Sequence, residues 1–148
     1  MSLWDWTLEA YARPGVPEAC LTLQDEHGLN TSFLLWAVWA EGADAAVLAQ
    51  AANAGKAWDE RVLGPIRQVR RTLKAAFPAI DDGARQGLRD EVKSAELRAE
   101  RVLMEAFEAL TEDRRGGTPV LVVLWVVSCA WGVRAPDEAL ARLAGALS

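Results

Sequence analysis

Apolar positions along the chain recur at helical spacing, and polar or conformationally special residues divide them into segments. Ser2 caps a first helix, with Asp5 three residues later as its partner, and Pro14 forbids its continuation. Pro17 suits the first turn of a second helix, which stops at Gly28. Asn30 and Thr31 offer caps for a third, SFLLWAVWAE, ended by Gly42, and Asp44 opens an alanine-rich fourth that ends near Gly55. A fifth begins at Trp58; Pro65 either kinks it or starts a new helix that runs to Phe77, where Pro78 closes the segment. Asp81 or Asp82 caps the longest helix, roughly residues 83 to 110, and the loop TEDRRGGTP follows. Pro136, Asp137 and Glu138 begin a last helix with Leu140, Leu143, Ala144 and Leu147 on one face.

The run PVLVVLWVVSCAW, residues 119 to 131, holds five valines and so favours a strand by propensity. No second strand is evident to pair with it, and a lone strand would leave backbone groups unpaired. It is therefore expected to be a central helix, apolar and buried all round. In the long helix Leu88, Val92, Ala95, Ala99, Val102 and Ala106 alternate at steps of four and three, the spacing of a packing seam. The pattern predicts an all-α fold: one helical domain over residues 1–148, a bundle of about seven helices.

Composition narrows the function classes. An apolar fraction of 51% excludes intrinsic disorder, and 148 residues suffice for one substantial core. The net charge of −5 argues against a nucleic-acid binder, which needs a basic surface to neutralise phosphates. Cys20 and Cys129 lie far apart and form neither a disulfide framework nor a zinc spacing. The first residues, MSLWDWTLEAYARPG, have no basic stretch followed by an apolar one, so no secretion signal is expected. The apolar run at 119–131 is about five residues short of a bilayer span. A cytoplasmic protein without a transmembrane segment is the expectation.

Two stretches carry a resemblance. The segment YARPGVPEACLTLQDEHGLNTSFLLWAVWA contains Tyr11-x-x-Pro14-Gly15-Val16, Leu23-Gln24-Asp25 and Leu34-Leu35 followed by tryptophan. The segment WDERVLGPIRQVRRTLK contains Trp58 followed by Pro65-x-Arg67-x-x-Arg70-Arg71-x-Leu73-Lys74. In these the first half of the chain resembles an uncharacterised, largely proteobacterial family of conserved hypothetical proteins. The resemblance implies an all-helical bacterial protein with no assigned reaction, and it transfers no catalytic residue.

Three groups of residues are candidates for chemistry. Cys20, Gln24 and His27 share one helix face, but two turns separate the thiol from the imidazole by about 10.5 Å, and one histidine leaves a metal short of ligands. Cys20 is expected in the core and His27 near a helix end, where it meets the dipole. Arg67, Arg70, Arg71 and Lys74 form a basic stripe that needs an anionic answer, from Asp25, Glu26, Asp59 or Asp81 within the protein or from a phosphate, carboxylate or acidic partner outside it. Asp25 is the expected partner of Arg70 or Arg71. The aromatics Trp4, Trp6, Tyr11, Trp36, Trp39, Trp58, Trp125 and Trp131 are expected to converge as core, with a pocket for an amphipathic anion as the alternative use.

No nucleophile triad, glycine-rich phosphate loop or metal motif stands out, so no cofactor or metal is expected. The expected function is binding without catalysis, to another protein or as a homodimer. The alternative is a small anionic molecule, bound or turned over at a site built from Gln24, Asp25, Trp36, Trp58 and the Arg67, Arg70, Arg71, Lys74 stripe.

Overall fold

A computed structural model describes residues 1–111 and 117–148, and among them every element is helical. The α-helices are α1 (Leu3–Tyr11), α2 (Val16–His27), α3 (Thr31–Ala40), α4 (Ala45–Trp58), α5 (Gly64–Thr72), α6 (Asp82–Ala109), α7 (Val120–Trp131) and α8 (Asp137–Leu147). A π-helical segment, Asp59–Leu63, joins α4 to α5 without a break, so these eight helices make seven rods of an all-α bundle. Of the loop expected at 111–119, residues 112–116 lie outside the described residues.

The punctuation acts largely where the sequence places it. Ser2 Oγ accepts a hydrogen bond from the Asp5 N–H at 3.1 Å, Asn30 Oδ1 from the Phe33 N–H at 2.9 Å, and Asp81 Oδ2 from the Ala84 N–H at 2.8 Å. Asp81, not Asp82, is thus the cap of α6. Gly28 ends α2 in the left-handed region at φ 68°, where a side chain would strain the backbone.

Two boundaries differ. The fourth helix does not stop at Gly55, which lies in the interior of α4. A Cβ there would stand 2.9 Å from Trp131 Cζ3 and 3.1 Å from Phe107 Cζ, so the glycine serves close packing instead of termination. The fifth helix ends at Thr72, short of Phe77. Pro65 is the second residue of α5, so the α-helix restarts at it after the π turn, within one continuous rod. A proline ring crowds the carbonyl four residues back, and the wider π turn just before Pro65 accommodates it; the Gly64 N–H reaches back to the Asp59 carbonyl.

The helix buried on every side is α3, not α7. All ten α3 residues are buried, and α1, α2, α4, α6 and α7 pack on it. Its rings join those of two other helices: Phe33 lies 5.7 Å from Trp36, 5.8 Å from Phe107 and 5.1 Å from Trp131, centroid to centroid. The apolar run at 119–131 is a helix as expected, but α7 buries only Val123, Leu124, Val127, Ser128 and Trp131. Leu121, Val122, Trp125 and Val126 face outward. Trp125 therefore leaves the expected aromatic cluster. The outer helix α8 buries Leu140, Leu143, Ala144 and Leu147 as the pattern predicts, against α2 and α7.

The seam of α6 is rotated from the expected one. Val92 and Ala99 do point inward in part or wholly, but Leu88, Ala95, Val102 and Ala106 are exposed. The inward positions are Arg85, Arg89, Val92, Glu96, Ala99, Leu103 and Phe107, with the same steps of four and three but polar in the first half. The reason is the neighbour: that half of α6 packs on α5, whose inner face is charged.

The crowding at Gly55 gives a signed test. Ala raises helix propensity by about 0.5–1 kcal/mol over Gly, whereas an extra methyl against buried rings costs about 1–3 kcal/mol. Gly55→Ala is expected to lower the unfolding free energy, by up to about 2.5 kcal/mol in urea titration, the largest difference of those terms. Gly87→Ala, where a Cβ meets nothing within 4 Å, is expected to raise it by about 0.5–1 kcal/mol.

Candidate functional site

The basic stripe is met largely from within the protein. Arg67 is only 11% exposed and reaches three carboxylates: Asp59 at 2.9 Å, Glu96 at 3.5 Å and Glu100 at 3.8 Å. Arg70 grips Glu96 through Nε at 2.5 Å, with a second contact from Nη2 at 3.4 Å. Arg71, 57% exposed, stands 3.8 Å from Asp25, the partner expected for it. Lys74 lies beyond the end of α5 and is exposed, so it falls off the stripe. Glu96 and Glu100 were not among the anionic answers the sequence offered, because only the packing of α6 on α5 brings them there.

The same two helices exchange further bonds. Arg85 Nη1 donates to the Leu73 carbonyl at 2.5 Å, and Arg89 Nε to the Arg70 carbonyl at 3.4 Å. These cations cover the last carbonyls of α5, the negative end of its dipole. Asp82 holds the Arg85 guanidinium at 2.7 Å, so the buried charge is paired.

Above this network lies a groove of about 430 Å³ between the end of α2 and the π turn. Gln24, Asp25, Gly28 and Leu29 line it from α2 and the turn after it, Asp59 from the π turn, and Gly64, Arg67 and Arg71 from α5. Gly64 belongs there by necessity: a Cβ would stand 2.8 Å from the Asp59 carbonyl oxygen. Two carboxylates and two guanidiniums face the groove, so its charge is balanced. Of the expected site residues, Gln24, Asp25, Arg67 and Arg71 meet here, while Arg70 turns to Glu96. Trp58 is half-buried beside them and its indole N–H donates to the Ala99 carbonyl at 2.9 Å. Trp36 is fully buried in the core and donates to Thr111 Oγ1 at 2.7 Å. It is not part of the groove.

Burial pushes the Tyr11 hydroxyl far above its usual range; Cys20 beside it adds to the shift and a hydrogen bond with Thr31 opposes it. Burial likewise pushes the Cys20 thiol up to about 11, against a hydrogen bond with Tyr11. The thiol stays protonated at neutral pH, which fits a structural cysteine and not a nucleophile. His27 ends α2 as expected, with Nε2 3.9 Å from Glu26. Among the described residues no three or more His, Cys, Asp or Glu side chains gather as metal ligands. No helix there is long and apolar enough to cross a membrane.

The second feature was not expected. The outer face of α7 presents Leu121 (44% exposed), Val122 (48%), Trp125 (49%) and Val126 (40%). With Asp137, Glu138 and Ala141 of α8 the first three line a groove of about 440 Å³. The signal for it was in the sequence: a run without one charge is too apolar for a helix with a wet side.

The profile of a family described as "Protein of unknown function (DUF2390)" matches residues 2–107. The chain belongs to that family. No curated protein and no solved structure matches it. In this DUF2390 chain the matched span takes in the polar groove and all its charged partners, from Tyr11 to Glu100. The apolar face of α7 lies outside the match.

Removing Arg67 takes the guanidinium from Asp59 and Glu100 and leaves Glu96 with Arg70 alone, whereas removing Arg71 frees an exposed carboxylate. Arg67→Ala is expected to cost about 2–4 kcal/mol and Arg71→Ala no more than about 0.5 kcal/mol, read by denaturant unfolding. Glu100 gives a pH test. Burial raises its carboxyl above the usual 4.5, Arg67 opposes this and Glu96 adds to it. The folded chain therefore holds this proton more tightly than the unfolded one. That contribution to stability is complete below 4.5 and is lost as pH rises through the raised value. Glu100→Gln is accordingly expected to exceed the wild type in stability at pH 7 and to match it at pH 4.

Proposed function

We propose that this protein acts without catalysis, by seating another polypeptide on the outer face of α7. One observation carries the reading: a helix with no charged residue has its inner side in the core and four large apolar side chains on its outer side. Contiguous apolar surface of this kind, rimmed by carboxylates, is what interaction sites present. Trp125 at its centre is the residue type that anchors such contacts. Asp137 and Glu138 weigh against a lipid surface, because anionic headgroups would repel them. A cytoplasmic setting belongs to the same proposal; two free cysteines, one of them exposed, suit a reducing compartment.

The other reading is a small anionic ligand held by the polar groove, and the exposed guanidinium of Arg71 favours it. Against it stand Asp25 and Asp59, which line the same groove and leave no net positive charge. The α7 reading is the stronger one.

A photo-crosslinking amino acid placed at Val126, with a second variant carrying it at Glu91 on the exposed face of α6, separates specific seating from chance collision. In cells, irradiation is expected to give one discrete protein adduct from position 126 and none from position 91. Adding Trp125→Glu is expected to abolish the adduct. No adduct from 126, or equal adducts from both positions, would overturn the reading.

A further inference from the structure

We infer that the polar groove binds a small zwitterion, a molecule of the free amino acid kind whose ammonium and carboxylate lie a few atoms apart. The site is separate from the face of α7, and neither reading depends on the other. The two ion pairs of the groove differ in what they leave over. Arg67 is 11% exposed and divided among Asp59, Glu96 and Glu100, so it has little to give a ligand. Arg71 follows four residues further along α5, about 6 Å of rise. It is 57% exposed, and its Nη2 stands 3.8 Å from Asp25 Oδ1, an ion pair without a hydrogen bond. Its planar fork of donors is therefore open to a carboxylate. Gln24, half-buried next to Asp25, has no hydrogen-bond partner for its side-chain amide among the described residues.

Acceptors are left over beside these donors. Asp59 gives Oδ1 to Arg67 at 2.9 Å, which leaves its Oδ2. Asp25 is exposed and accepts no hydrogen bond from the described residues. Asp25, Gly28 and Leu29 also bring the end of α2 to the groove, and a helix C-terminus carries unmet carbonyls and a partial negative charge. The balance of charge thus leaves the hydrogen bonding unfinished. A bare anion would meet the two carboxylates and this helix end, and a bare cation would meet the guanidiniums. A zwitterion answers both, with its carboxylate on Arg71 and the Gln24 amide and its ammonium on Asp59 and Asp25. Being neutral, it keeps the balance. Gly28 and Gly64 present no side chain, so the ligand can approach the backbone there. The volume of about 430 Å³ is that of a small-molecule site.

Proton–nitrogen NMR of the full chain reads binding and its place together. Each of the twenty free amino acids is titrated in turn at pH 7. At least one is expected to shift, to saturation, the backbone N–H signals of Gly28 and Gly64 and the side-chain N–H signals of Gln24 and Arg71, and to leave the Trp125 indole signal in place. The N-acetyl derivative of that amino acid lacks the ammonium, and its amide derivative lacks the carboxylate. Each is expected to bind at least about tenfold more weakly, as the loss of one charge-assisted hydrogen bond implies. Arg71→Ala and, separately, Asp25→Asn are expected to weaken binding by about the same factor. Both side chains are exposed, so circular dichroism should be unchanged. The absence of a saturable shift with all twenty, or equal binding by both variants and the wild type, overturns the inference. An N-acetyl derivative that binds as tightly makes the groove an anion site, and an amide derivative that does so makes it a cation site; either result overturns it too. None of these outcomes touches the face of α7.

Discussion

The arrangement depends on removing α3 from water on all sides. Ten successive buried residues, two of them tryptophans and one a phenylalanine, cannot be satisfied by one neighbour, so five helices close around them. Phe107 from α6 and Trp131 from α7 complete the ring cluster around Phe33 and Trp36, at centroid separations of 5.1 to 5.8 Å. Close packing of four large rings leaves space for a backbone but not for a side chain, which explains Gly55 in the middle of α4. The same cluster fixes α7. Trp131 is held inside, its indole N–H bonded to the Gly28 carbonyl at 3.1 Å, and the rest of the helix must follow with one side in and one side out.

Away from this apolar centre the bundle is held by charge. The contact of α5 with the first half of α6 replaces packed aliphatic chains by guanidiniums and carboxylates, each with at least one partner. Isolated surface pairs add little to stability. Here the groups are largely removed from water and bonded to one another, so loss of one leaves others uncompensated. The polar groove is a by-product of this construction: it opens where the π turn and the end of α2 diverge above the network. Its balanced charge is what an internal network requires, since the carboxylates that line it also neutralise Arg67 and Arg71.

The helices and their caps were legible because they follow from local rules. Ser2, Asn30 and Asp81 bond to the backbone three residues on, and Gly28 takes the one backbone conformation that suits it. The pairing of Arg71 with Asp25 was legible as a match of charge to charge. What failed was the assumption that apolar means buried. Leu88 and Val102 are exposed because the inward face of α6 is set by α5, whose charged side demands Glu96 and Arg89 opposite. For the same reason the apolar run of α7 reads as the central helix, although the packing gives that place to α3, all ten residues of which are buried. Glu96 and Glu100 could not be read as partners of Arg67, since spacing along the chain does not say which helices touch.

The π turn at Asp59–Leu63 has a consequence for how one rod can serve two neighbours. A hydrogen bond that spans five residues instead of four uses one residue more per loop. In a helix that advances about 100° per residue, the surplus rotates everything after it by that angle. Before the turn, α4 directs Leu48, Ala51, Ala52 and Gly55 at the aromatic cluster and α7. After it, α5 directs Arg67 and Arg70 at the carboxylates of α6. Counted at about 100° per residue with no surplus, Arg67 and Arg70 would stand about 120° and about 60° round the rod from Gly55. The single extra residue acts as a phase step that takes up this offset and brings both back to the side that Gly55 faces, so one side of the rod is oily before the turn and ionic after it.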